Sequence, residues 1–170
     1  MNLQPDEERF ILILQEKKKI IYKICNSYCR SVEDRKDLAQ EIIIQLWKSL
    51  HKYNEQYQLS TWVYAIALNV AMAFHRSKKR KREVFAGLEI VVAIMDDTTE
   101  EREQEENLQL LYKFINELEE LNKALMILYL DNNSYKEISL VLGITETNVA
   151  TKINRIKQKL KQQFNNALKS

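Results

Sequence analysis

Only two glycines and one proline occur in the 170 residues of this chain, so it has few places at which the backbone can turn sharply without strain. A sheet of several hairpins needs many such places, whereas long helices with short connections need few. The sequence therefore predicts an all-α protein. A chain of this length with 45% hydrophobic residues supports one or two compact cores, and two small helical domains fit it better than one.

Charge supports the division. Residues 1–82 carry 16 Lys and Arg against 9 Asp and Glu, a balance of +7; residues 83–121 carry 2 against 12, or −10; residues 122–170 carry 8 against 3, or +5. Two basic blocks joined by an acidic connector suggest two modules that face nucleic acid and a tether that the same polyanion would repel. No signal peptide and no apolar run near 18 residues is present, so a cytoplasmic protein without direct membrane insertion is expected.

Three helices are expected in the first block. Ile20, Ile21, Ile24, Cys25 and Tyr28 recur at helical spacing, and so do Leu38, Ile42, Leu46, Trp47 and Leu50, with Asp37, Gln40 and Glu41 mostly off that stripe and facing outward. Periodicity stops from His51 to Leu59, a polar stretch with Tyr53 and Tyr57 that reads as a loop. Ser60 is the expected N-cap of a third helix, buried along Val63, Ile66, Ala67, Val70 and Phe74 and ending in the run Arg76-Ser77-Lys78-Lys79-Arg80-Lys81-Arg82. Aromatic rings beside cations suit single-stranded DNA, because ring faces accept unstacked bases while the charges hold phosphates. Trp62 and Tyr64 have a core reading as well.

Beyond an apolar piece from Val84 to Met95 and an acidic piece from Asp96 to Glu106, a helical stripe resumes at Leu108, Leu111, Ile115 and Leu118. Ser134-Tyr135-Lys136-Glu137 is then a capping box. Ile138 and Leu142 face inward, Gly143 can take positive φ at the helix end, and Thr145 can cap the next helix. The result is a helix-turn-helix. Val149, Ile153, Ile156, Leu160 and Phe164 form one face of the second helix. Thr147, Asn148, Thr151, Lys152 and Arg155 form another, of types that meet base edges or phosphates in a major groove.

Cys25 and Cys29, four apart among apolar residues, read as core filler. A metal site would want further ligands at finger-like spacing, which His51 and His75 do not supply. No metal, cofactor, small-molecule substrate or catalytic residue is expected.

With these residues in view, the chain resembles the extracytoplasmic-function group of sigma-70-type sigma factors. Glu33 to Glu41 followed by Leu46-Trp47 is similar to the family's polymerase-docking helix. The resemblance implies that Asp37, Gln40 and Glu41 face the clamp coiled coil of core RNA polymerase. Ser60 to Asn69 is similar to the minus-ten recognition and melting segment, which implies that the preceding loop captures a flipped base, with Tyr53, Tyr57, Trp62, Asn69, Arg76, Lys78, Lys79 and Arg80 toward that DNA. Tyr135 to Val149 looks like the minus-thirty-five reader, which places Lys136, Thr147, Asn148, Thr151, Lys152 and Arg155 toward the upstream element.

Departures from the family pattern are Leu68, where a basic residue is usual, Ala73 for a common aspartate, Asn122 for a frequent proline, and Ala150 after Val149. The implied organisation is a region 2-like domain over residues 1–82, an acidic linker over 83–106 and a region 4-like helix-turn-helix domain over 107–170. The implied partners are core RNA polymerase, promoter DNA and an anti-sigma factor. Two rivals are a dimeric helix-turn-helix repressor and a carboxylate-metal nuclease using Asp96, Asp97, Glu100 and Glu101. The repressor has no use for the docking helix, and the acids of the nuclease lie in a segment with little core to position them.

Overall fold

In a computed structural model, residues 4–84 and 102–169 are described, except for the side chains of residues 79–84 and 102–105. These residues contain no strand. Their elements are α1 (Pro5–Tyr28), α2 (Val32–Ser49), a 3-10 turn (Leu50–Lys52), α3 (Leu59–Val84), α4 (Arg102–Asn116), α5 (Glu120–Leu130), α6 (Tyr135–Leu142) and α7 (Glu146–Lys169). The all-α expectation holds. Most of the connector, including Asp96, Asp97, Glu100 and Glu101, lies outside the described residues. At its end the helix begins at Arg102 and not at Leu108.

Local chemistry starts α1 and α2. Pro5 opens α1, Asp6, Glu7 and Glu8 fill its first turn, and the Gln4 amide donates to the Glu7 carboxylate at 3.0 Å. Ser31 caps α2, its hydroxyl accepting from the Asp34 amide at 3.0 Å. Helix α3 starts one residue ahead of the expected cap, so Ser60 lies inside its first turn and the Trp62 amide donates to the Gln58 carbonyl.

In the first three helices, α1 and α2 pack on each other and both pack on α3. Ile24, Leu38, Ile42, Leu46 and Val63 are fully buried, each worth about 1.5–3 kcal/mol of apolar burial. Helix α3 buries more than its predicted stripe. Tyr64, Leu68 and Ala71 are buried as well, while Ile66 and Val70 are only partly covered. The reason is that α1, α2 and α6 all lie against α3, so several of its faces meet a neighbour. Leu68 therefore serves the core, and a basic residue there would carry its charge into it. Trp47 departs in the other direction, remaining 43% exposed and touching Phe10 edge-on.

The last four helices centre on α5, whose residues Lys123 to Leu128 are all buried and which packs against α4, α6, α7 and α3. Ile115 of α4 and Leu118, just past its end, are buried and Leu111 is partly covered as the stripe predicts, while Leu108 is exposed. On α6 it is Val141, with Ile138, that is buried, and Leu142 is partly covered. Val149, Ile153, Ile156 and Leu160 of α7 face inward as expected.

The two helical groups touch. Besides α6 on α3, the Tyr28 hydroxyl donates to the Glu120 carbonyl at 2.9 Å, Lys123 Nζ donates to the Ser27 carbonyl at 3.2 Å, and Lys23 pairs with Asp131. The buried apolar residues of both groups form one continuous cluster.

Candidate polymerase and nucleic-acid interfaces

Asp37, Gln40 and Glu41 are all exposed on α2. They line a groove between α2 and α3 together with Ile44, Phe74, Ser77 and Lys78. Positions 37, 40, 41 and 44 share one helix face. Ile44, half-exposed at 51%, adds an apolar side chain one turn beyond Gln40 on that face. Sequence reasoning missed it, although its place seven residues after Asp37 was the available signal.

The loop between Lys52 and Leu59 is tied by its own polar groups. Tyr53 packs its ring 5.0 Å from that of Trp62, tilted by 42°, and its hydroxyl donates to the Tyr57 carbonyl at 2.9 Å. Asn54 Oδ1 accepts from the Gln56 amide at 3.0 Å, an Asx turn, and the Tyr57 amide donates to the Asn54 carbonyl. Tyr57 is left half-exposed. The loop thus joins its two tyrosines and Trp62 into one surface. Tyr64, by contrast, is core, with its hydroxyl buried and no hydrogen-bond partner for it among the described residues.

Trp62, Asn69 and Arg76 follow one another at intervals of seven along α3, close to two helical turns, so they form a line on one face. Asn69 is exposed and Trp62 is part-covered. Arg76 Nε donates to the Met72 carbonyl at 3.2 Å and pairs with Glu120 of α5 at 3.3 Å. Lys78 pairs with Asp34 at 2.9 Å, and that hydrogen bond raises its pKa. Of the four cations expected toward that DNA, Arg76 and Lys78 are therefore engaged in ion pairs in this arrangement. The helix runs on through the basic run to Val84, and the side chains of Lys79 and Arg80 lie outside the described residues.

The helix-turn-helix forms as its sequence predicts. Ser134 Oγ accepts from the Glu137 amide at 3.2 Å while the Glu137 carboxylate accepts from the Ser134 amide at 2.7 Å. Gly143 adopts φ +66° at the end of α6, and Thr145 Oγ1 accepts from the Asn148 amide at 3.1 Å. Lys136, Thr147, Asn148, Thr151 and Arg155 are exposed and Lys152 is partly so. The Thr151 hydroxyl donates to the Thr147 carbonyl at 2.9 Å, which leaves its oxygen free to accept. Packing of α6 on α3 thus leaves these α7 side chains open to solvent.

Burial raises the pKa of both cysteine thiols to about 11. Burial, and then the charge of Arg30, lowers that of Lys123. Cys25 and Cys29 are buried and unpaired with each other, in keeping with core filler. Among the described residues no group of acids, histidines and cysteines is placed to hold a metal, and no helix is long and apolar enough to cross a membrane.

Known proteins match both halves. Residues 13–81 match Sigma-70 region 2 and residues 108–160 match Sigma-70 region 4. The ECF RNA polymerase sigma factor SigW of Bacillus subtilis (strain 168) is 25% identical over 173 residues, covering 94% of this chain and 90% of that one. SigM of the same organism, also an ECF RNA polymerase sigma factor, is 25% identical over 147 residues, covering 85% of this chain and 88% of the relative. Among solved structures, the sigma factor RpoE in complex with the anti-sigma factor NepR from Bartonella quintana superposes with a TM-score of 0.71 at 19% identity, covering 94% of this chain and 96% of that one. CnrH in complex with the cytosolic domain of CnrY gives 0.67 at 16% identity, covering 94% and 89%. With both regions matched in order along one all-helical chain, the chain belongs to the sigma-70 family, in its extracytoplasmic-function group, and directs RNA polymerase to promoters.

Proposed function

We propose that three faces of this chain divide the work of initiation, in a region 2-like domain over residues 1–82 and a region 4-like domain over 107–170. Asp37, Gln40 and Glu41, with Ile44 among them, dock on the clamp of core polymerase. Tyr53, Tyr57, Trp62, Asn69, Arg76, Lys78, Lys79 and Arg80 hold the minus-ten strand. Lys136, Thr147, Asn148, Thr151, Lys152 and Arg155 read the minus-thirty-five duplex. The observation that carries the reading is the line of Trp62 and Asn69 on α3 with the half-exposed Tyr57 in the loop before it, which offers rings and an amide to one strand, and Arg76 on the same line adds a cation once its pair with Glu120 opens.

A protein without a motor opens a duplex by binding the unpaired state better than the paired one, and rings beside cations provide that preference. Each domain alone binds weakly, and tethering makes a promoter with both elements the favoured target. The chain itself catalyses nothing and works in the cytoplasm. An anti-sigma factor is a further proposed partner, supported by the RpoE structure, whose sigma factor is held by one.

The test is open-complex formation by holoenzyme carrying Trp62→Ala or Arg155→Ala. Trp62→Ala is expected to lower strand opening while leaving upstream duplex contacts in place. Arg155→Ala is expected to cost about 1–3 kcal/mol of promoter binding. Unchanged opening with Trp62→Ala removes the minus-ten assignment.

A further inference from the structure

Helix α1 begins ahead of the residues matched to region 2, and its first two turns reach the loop beside α3. Phe10 is buried and meets the Trp47 ring at 5.1 Å and 63°, which holds the start of α1 against the end of α2. One residue before it, Arg9 Nη2 lies 2.8 Å from Glu55 Oε1. Glu55 sits at the turn of the loop and is 79% exposed. It is also the sole carboxylate between Glu41 and Glu83, a stretch with 8 Lys and Arg. A bare acid there would repel the phosphates of a strand entering the loop.

An exposed ion pair adds little to folding stability, so its consequence lies in where it holds the loop and whose charge it cancels. We propose that Arg9 is a positioning residue for promoter opening: it holds Glu55 and neutralises it, so that the Tyr57 side of the loop receives an unpaired base with no free carboxylate beside the strand. This rests on reading residues 53–58 as the base-capturing loop. The remaining guanidinium donors are free to face solvent, since the Arg9 side chain is 48% exposed.

The test uses holoenzyme built with full-length chain and a fluorescent single-stranded oligonucleotide, chosen as the tightest binder of the wild-type holoenzyme from a random pool. Binding is measured for Arg9→Gln, Glu55→Gln and the double variant. Arg9→Gln is expected to weaken binding about threefold, the scale of an exposed ion pair, with core binding and Tm unchanged. Glu55→Gln is expected to bind as tightly as wild type or tighter, and the double variant to match it, because no carboxylate is left to neutralise. Loss of the same size from Arg9→Gln in both backgrounds, or no loss in either, overturns the proposal. Tyr57→Ala separates the underlying reading: if it leaves binding unchanged, the loop does not capture a base and both ideas fall. If it weakens binding while Arg9→Gln does not, the role of Arg9 alone is refuted.

Discussion

Lys123 of α5 donates its ammonium to the Ser27 carbonyl of α1 at 3.2 Å, across the junction of the two helical groups. Its Nζ also lies 5.1 Å from the centre of the Tyr28 ring. The last turn of α1 carries no cation of its own, so the exposed carbonyl end of that helix receives its positive charge from the other half of the chain. Around this contact Arg76 and Glu120 pair, and the Tyr28 hydroxyl donates to the Glu120 carbonyl.

Lys123→Glu would turn a carboxylate toward the carbonyl end of α1 and toward Glu120. The two groups should then separate while each keeps its own helices. Small-angle scattering is expected to show a radius of gyration several Å above the roughly 15 Å of a compact chain of this length, with helicity unchanged by circular dichroism. An unchanged radius contradicts the role given to Lys123.

If the two domains read the two promoter elements as proposed, promoter engagement requires the same separation. The minus-ten and minus-thirty-five elements lie roughly 80 Å apart along B-form DNA at about 34 Å per turn, whereas α6 rests on α3 here. A chemical cross-link joining α3 to α6 should leave core binding intact and abolish initiation, as measured by transcription from a promoter library. Full transcription by the linked protein would mean that the packed arrangement is itself active.

The thiols give a pH test. Burial holds Cys25 and Cys29 at about 11, against an ordinary 9.0, and raises the Tyr28 phenol as well. Between pH 9 and 11 the unfolded chain loses thiol protons that the folded chain keeps, so stability falls as pH rises through that window. Lys123, whose pKa is lowered, acts the opposite way below 10.5, one group against three. Urea midpoints should therefore decline from pH 9 to 11. At pH 8 the native thiols should react with iodoacetamide orders of magnitude more slowly than those of the unfolded chain. A flat midpoint and fast native alkylation would contradict this burial.

Gly143 and Ser134 test the helix-turn-helix. A Cβ at Gly143 meets nothing within 4 Å, so Gly143→Ala is opposed by the φ of +66° alone, at about 1–2 kcal/mol. Ser134→Ala removes the hydroxyl that accepts from the Glu137 amide, at about 1 kcal/mol. Both losses should appear in chemical denaturation. A neutral Gly143→Ala would mean that the turn relaxes to negative φ.

These two residues also show what the sequence makes legible. Ser134, Glu137, Gly143 and Thr145 act within a few residues of themselves, so the turn could be read directly. Leu68 and Tyr64 could not be, because their burial comes from several helices meeting α3, a consequence of tertiary packing that one helical stripe does not encode. Lys123 and Arg9 were illegible for the same reason: their partners Ser27 and Glu55 stand 96 and 46 residues away. Asp37, Gln40 and Glu41, proposed to dock on polymerase, could be placed on an outward face, but the groove they share with α3 needed the fold.

A pull-down of the chain with purified core polymerase, comparing wild type with Asp37→Ala and Glu41→Ala and transcribing a promoter library with the bound fraction, tests the docking and the promoter specificity together. Binding that each substitution weakens, with transcripts that start at defined sites, is expected. No binding to core, with a stable dimer that shifts duplex DNA, would contradict it.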